Sequence, residues 1–165
     1  MKVISTVIAA AAVLFAAGSV SAQSFSPSSG SFSGSGNVNL LNSSGAQCNV
    51  SLSGSVTSAT TASITTKSFS PGPSFTCGWA VTPFGTWSVQ TVPGNVNKII
   101  LYLGATTILG STCHGWVEAD VINKGNGTSD ITFLDDELID GTYPDGTPTG
   151  CYVLNGTVNV NLVII

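Results

Sequence analysis

Cys48-Asn49-Val50-Ser51-Leu52-Ser53-Gly54-Ser55-Val56 decides the fold. Cys48, Val50, Leu52 and Val56 fall on one parity and Asn49, Ser51, Ser53 and Ser55 on the other. Period two is the signature of a strand with one face buried and one face wet. The pattern recurs along the chain. Phe75, Cys77, Trp79 and Val81 alternate, as do Trp87 and Val89, then Ile99, Leu101 and Leu103, then Val117, Ala119 and Val121. Near the end Val158, Val160 and Leu162 alternate with Thr157, Asn159 and Asn161. Clusters of Gly, Pro, Asn and Ser separate these runs, and no segment after the first 22 residues holds a 3.6-residue period. The reading is all-β: an antiparallel β-sandwich or barrel-like fold of about 7–10 strands.

Upstream of the strands the chain has a different character. Met1-Lys2 is followed by an alanine-rich apolar run to Gly18, then by the small residues Val20-Ser21-Ala22, before the sequence turns polar at Gln23. That order is the pattern of a secretory signal peptide, and the run is short for crossing roughly 30 Å of hydrocarbon. Residues 1–22 are therefore expected to be removed, leaving residues 23–165 as a single all-β domain with no transmembrane span, secreted or extracellular. Once Lys2 is gone, Lys67, Lys98 and Lys124 are the remaining cations, and arginine is absent. Three positive charges cannot neutralise a phosphate track, so nucleic acid is excluded as a partner. All eight acids lie between Glu118 and Asp145, so the preceding strands depend on Ser, Thr, Asn and Gly for solubility.

Cys48, Cys77, Cys113 and Cys151 are an even set with no two-residue spacing, in a chain with one histidine. In an exported protein they read as two disulfides rather than a metal knuckle. Cys48–Cys77 with Cys113–Cys151 is the favoured pairing, because each bond ties strands within one half of the chain; crossed pairing stays open. Each would close a loop of roughly 30–40 residues, worth about 3–4 kcal/mol by chain entropy.

Two segments resemble one another: Gly36-Asn37-Val38-Asn39-Leu40 and Val158-Asn159-Val160-Asn161-Leu162. Shared β composition accounts for this, the alternative being that the two strands are neighbours in one sheet. The terminal Leu162-Val163-Ile164-Ile165 reads as core, or else as an edge that invites self-association.

The order of pieces resembles the alkane-oxidation protein activator family of PraA/PraB-like proteins. Ser26-Pro27 leads into Ser31-Phe32-Ser33-Gly34-Ser35-Gly36-Asn37-Val38. The Cys48 to Val56 strand follows, then a Thr/Ala/Ser-rich strand through Ile64 to Phe69. Cys77 precedes a tryptophan segment, Gly110-Ser111-Thr112-Cys113 leads to another, and Cys151 precedes the closing strand. The chain departs from the pattern in Pro83-Phe84-Gly85-Thr86-Trp87 and in the acidic run Asp135 to Asp145. The resemblance implies a secreted, non-enzymatic accessory protein that promotes use of hydrophobic substrates at oil–water or cell surfaces. Its partners would be hydrophobic substrate or cell-surface components. A self-assembling surface or matrix protein and a carbohydrate-binding module are the alternatives.

No catalytic constellation emerges from the residues. The Gly-x-Ser-x-Gly elbow is absent, and His114 is the one imidazole, adjoining Cys113. Glu118 and Asp120 share a strand face, as a glycosidase pair or as two solvated acids. No enzyme activity and no cofactor are expected. Asp135, Asp136, Glu137, Asp140 and Asp145 form an acidic, glycine-bearing stretch read as a solvated loop and as a weak calcium candidate. Phe84 is the leading candidate for exposed apolar contact. Trp79, Trp87 and Trp116 are secondary candidates, with core burial as their default.

Overall fold

The computed structural model of the chain describes residues 23–42, 44–72 and 77–165, with backbone alone at 41, 42 and 44. Residues 1–22, the expected export signal, lie outside the described residues, as does Phe75.

Eleven strands follow one another: β1 (Phe25–Ser26), β2 (Gly30–Asn42), β3 (Ser44–Val56), β4 (Thr61–Pro71), β5 (Val81–Pro83), β6 (Trp87–Val92), β7 (Asn95–Thr107), β8 (Thr112–Asn123), β9 (Ser129–Asp140), β10 (Thr147–Val160) and β11 (Val163–Ile164). The order β7-β6-β4-β3-β2-β10-β9-β8, with β8 paired back to β7, closes an eight-stranded antiparallel barrel. β5 is an extra strand, pairing Val81–Pro83 with the end of β7 beyond the reach of β6. Each barrel strand pairs with its neighbours in the chain apart from the short β5 detour, so the barrel is an up-and-down meander.

The period-two pattern explains the barrel's polarity. Along β3 the alternate residues Ala46, Cys48, Val50, Gly54 and Val56 are buried, while Asn49 and Ser51 reach solvent. Val117, Ala119 and Val121 of β8 and Val158 and Val160 of β10 complete the same apolar interior. Apolar inside and hydroxyl-rich outside is the opposite of the arrangement a barrel adopts in an outer membrane. Among the described residues no helix is long and apolar enough to cross a bilayer.

Closure joins the two look-alike segments: Gly36 lies opposite Val158 and Asn37 opposite Thr157. Their similarity thus belongs to neighbouring strands, the alternative that shared composition had displaced. Glycine is required at this seam. A Cβ on Gly156 would sit 2.5 Å from the carbonyl oxygen of Asn37 and 2.8 Å from Val38 Cα, so the backbones coil together only where no side chain intervenes.

Of the strand expected over Phe75 to Val81, the described part, Cys77 to Ala80, is not strand. Cys77 makes a single bridge to Val81, and Gly78, Trp79 and Ala80 form a turn. The disulfide explains the difference: bonded to Cys48, the fully buried Cys77 holds the crossover against the top of β3 and β4. The second disulfide, Cys113–Cys151, joins β8 to β10 at the same end. The pairing is the favoured one.

The expected acidic loop is also mostly strand. β9 continues to Asp140, and Asp135, at φ 56°, sits in an irregular stretch between the Trp116–Ile139 and Asp120–Thr132 pairs. Three extra residues of β9 bulge there, which lets a strand carry consecutive acids.

Candidate functional site

Strand direction sorts the loops into two groups. The β2–β3 hairpin, the β4–β5 crossover, the β7–β8 turn and the β9–β10 turn share one end of the barrel. The other end receives both described termini.

At the terminal end the barrel is shut. β1 pairs with β11, placing Phe25 opposite Ile164. Phe25, Leu162 and Ile164 are all buried, so the apolar C-terminal strand is core and acts as a plug. Asn123 and Ser129 are paired beneath it, whereas Gln23 Oε1 is buried without a hydrogen-bond partner. Asn123 Nδ2 donates to the carbonyl of Ile164 at 2.7 Å. Ser129 Oγ, fully buried, lies 2.7 Å from both Asn123 Oδ1 and the Leu162 carbonyl, either of which can accept its proton.

The loop end carries exposed apolar side chains. On the β7–β8 turn Ile108 is 67% and Leu109 90% exposed. The amide of Ile108 donates to the carbonyl of Ala80 at 2.9 Å, which sets the turn beside Trp79, itself 65% exposed. Between the two ends lies a cavity of about 400 Å³. Its wall reaches from Phe25, Leu162 and Ile164 to Leu40, Leu103, Ile108 and Leu109, and among the described residues no charged side chain contributes to it.

The sequence-derived aromatic candidates are dispersed. Phe84 is exposed, on the turn after β5. Trp87 is not a surface contact: it is buried, and its indole N–H lies 3.0 Å from the carbonyls of both Phe84 and Gly104. It fills the seam where β4 parts from β6, against Phe69 at 6.0 Å between ring centres, with the ammonium of Lys67 5.8 Å from its own ring. Trp116 stands half-buried on the outer wall, edge-on to Tyr102 at 5.2 Å. His114 packs between Phe84 and Tyr102, and its Nδ1 is buried without a hydrogen-bond partner. Core burial therefore holds for Trp87 and not for Trp79 or Trp116. The outer row of Phe84, His114, Tyr102 and Trp116 comes from three strand segments that only the β7 pairings align, and residue order gives no sign of it.

The acidic candidates do not converge either. Glu137 accepts from the amide of Gly150 at 2.6 Å, and its charge pushes up the hydroxyl pKa of Tyr152. Asp140 caps the Gly141 amide at 2.9 Å, and Asp145 lies in the β9–β10 turn. Asp136 is raised above the usual carboxylate range, first by burial and then by Glu118. Glu118 pairs with Lys98, which also stands 3.9 Å from Asp120 and is raised by its hydrogen bond to Glu118. The two acids of β8 are thus tied to a lysine on the outer wall. Among the described residues no three His, Cys, Asp or Glu form a metal-holding group.

The model of the alkane oxidation protein activator PraA/PraB-like family matches residues 1–164 of the chain. The chain belongs to this family. No curated protein and no solved structure matches it.

Proposed function

We propose that the chain is exported through residues 1–22 and serves, without catalysing a reaction, as an accessory of hydrophobic-substrate use at an oil–water or cell surface. The observation that carries this reading is the rim: Ile108, Leu109 and Trp79, brought together by the Ile108–Ala80 hydrogen bond, hold apolar side chains out into solvent at the loop end, while Val96, Ile122, Leu134 and Ile165 are exposed elsewhere. Exposed apolar clusters on a soluble surface mark contact with another apolar phase. The family's name supports the substrate class. Two disulfides suit an oxidising compartment outside the cytoplasm. A non-catalytic role fits the lone imidazole, His114, which is walled in by aromatic rings rather than set between a nucleophile and an orienting acid.

The alternatives have less to stand on. Assembly through the terminal strand loses its motive, because β11 is already paired with β1. A sugar platform needs tryptophans on one surface, and Trp79, Trp87 and Trp116 occupy the rim, the seam and the outer wall.

Pendant-drop tension of a hexadecane–water interface tests the reading. The purified protein should lower it, and Ile108→Ser/Leu109→Ser should lose most of that effect at unchanged Tm. No lowering by the wild type, or an equal effect from the variant, would overturn it.

A further inference from the structure

We infer that the barrel interior is a binding site for one linear alkyl chain, entered past Ile108 and Leu109. The inference rests on the proposed function only for the choice of ligand; the site itself rests on geometry. An eight-stranded barrel is near the size at which the interior is either filled by its own side chains or holds one small ligand. This interior retains about 400 Å³. An engineered apolar cavity of only ~150 Å³ stays dry and takes up benzene, so a larger cavity of the same lining has room for a chain of several carbons.

Several features select the chain's chemistry. Among the described residues no charged side chain lines the cavity, so a charged headgroup finds no partner inside and would have to stay at the rim. The cavity's wall follows the barrel from rim to plug, which suits a long narrow ligand better than a compact one. Phe25, Leu162 and Ile164 stop it at the far end, so the chain inserts from the loop end alone. The rim is kept apolar by Ile108 and Leu109, and the two disulfides at that end, Cys48–Cys77 and Cys113–Cys151, tie the surrounding strands together, Cys113 and Cys151 themselves lining the cavity. A preformed opening reduces the ordering cost of binding.

Free alkane and the acyl tail of a lipid share this chemistry. The test uses the disulfide-intact protein and the fluorophore N-phenyl-1-naphthylamine, displaced by dodecane and, separately, by dodecanoic acid. Displacement by both supports the site with the headgroup left at the rim. Displacement by dodecane alone supports it with free hydrocarbon as the source, and by the acid alone supports it with a lipid tail as the source. Displacement by neither overturns it. Ala46→Phe, which projects a ring into the cavity near its mouth, should weaken dodecane at least about tenfold, the equivalent of excluding two methylenes from apolar burial. Leu103→Ala, which enlarges the cavity, guards against overpacking and should shift the preferred alkane to a longer chain. Chain-length preference identical in wild type and Leu103→Ala, with undiminished binding to a folded Ala46→Phe, would place the ligand elsewhere and overturn the inference. Failure here is separable from failure of the rim reading: Ala46→Phe should still lower hexadecane–water tension, whereas Ile108→Ser/Leu109→Ser should not.

Discussion

The two ends of the barrel solve the same problem in opposite ways. Both must terminate eight strands whose inner faces are apolar. The terminal end does so with a plug: Phe25, Leu162 and Ile164 are buried, and the β1–β11 pair and the Asn123–Ser129 hydrogen bonds satisfy the backbone beneath them. The loop end is stapled covalently by Cys48–Cys77 and Cys113–Cys151, and leaves Ile108 and Leu109 in water. Burial gives stability; disulfides secure an opening that burial would have closed. The terminal end also keeps Val96, Ile122 and Ile165 exposed, so what separates the two ends is the buried plug of Phe25, Leu162 and Ile164 and not apolar exposure as such.

Substitutions at the two ends should separate stability from function. Phe25→Ala at the plug should have the largest effect, a loss of about 3–5 kcal/mol in denaturant unfolding, because it empties a fully buried aromatic site. Replacing Cys113 and Cys151 together by serine should cost roughly 3–4 kcal/mol by the chain-entropy argument, for a loop spanning 38 residues. If that pair proves neutral, the strands hold the open end without a staple and the contrast is weaker than drawn. Ser129→Ala should cost about 1–3 kcal/mol by leaving the buried Leu162 carbonyl without its donor.

The charges on β9 sharpen the comparison by pH. Asp130, near the plug, is lowered by hydrogen bonds from Lys124 and Asn159, so its contribution is present above the unfolded value of 3.8 and lost as pH falls through the lower folded value. Asp136, toward the loop end, is raised by burial and by Glu118. Its folded form holds a proton that the unfolded chain has released, so stability falls as pH rises from 3.8 through the raised value. Asp136→Asn should therefore raise Tm by a few degrees at most at pH 7 and leave it unchanged near pH 3; a fall at pH 7 would mean that Asp136 is stabilised by its Lys98 neighbourhood after all. Leu109→Ser should be the smallest in stability, within about ±0.5 kcal/mol, since the side chain is already in water.

Much of the barrel wall was legible in residue order. Val50 and Leu52, Ile99 and Leu101, Val117 and Val121, and Val158 and Val160 point inward as alternation requires, since a strand's side-chain period depends on the backbone alone. The segment around Trp79 was misread because alternation there is accidental: Cys77 is held by a bond to a residue 29 positions away, which turns the chain where its pattern says continue. The acids from Asp135 to Glu137 were misread for a related reason. Composition says loop, but pairing of Asp136 and Glu137 with β10 carries them as strand, bulged where β9 leaves β8. Of the candidate site, the aromatic contacts were named and not located. Ile108 and Leu109 went unmentioned, because two apolar residues before a glycine carry no local mark of exposure.

By itself the sequence determined the all-β class, the parity of each long strand, the scarcity of positive charge and the family pattern. These depend on single residues or on neighbours two apart, where local geometry is decisive. Only the tertiary structure decided that the sheet closes on itself, that β2 and β10 meet at glycines, and that one end is plugged while the other is open. Closure depends on strand pairs separated by more than a hundred residues, and whether an interior is filled or hollow depends on the summed volume of all its side chains. No local pattern records either quantity.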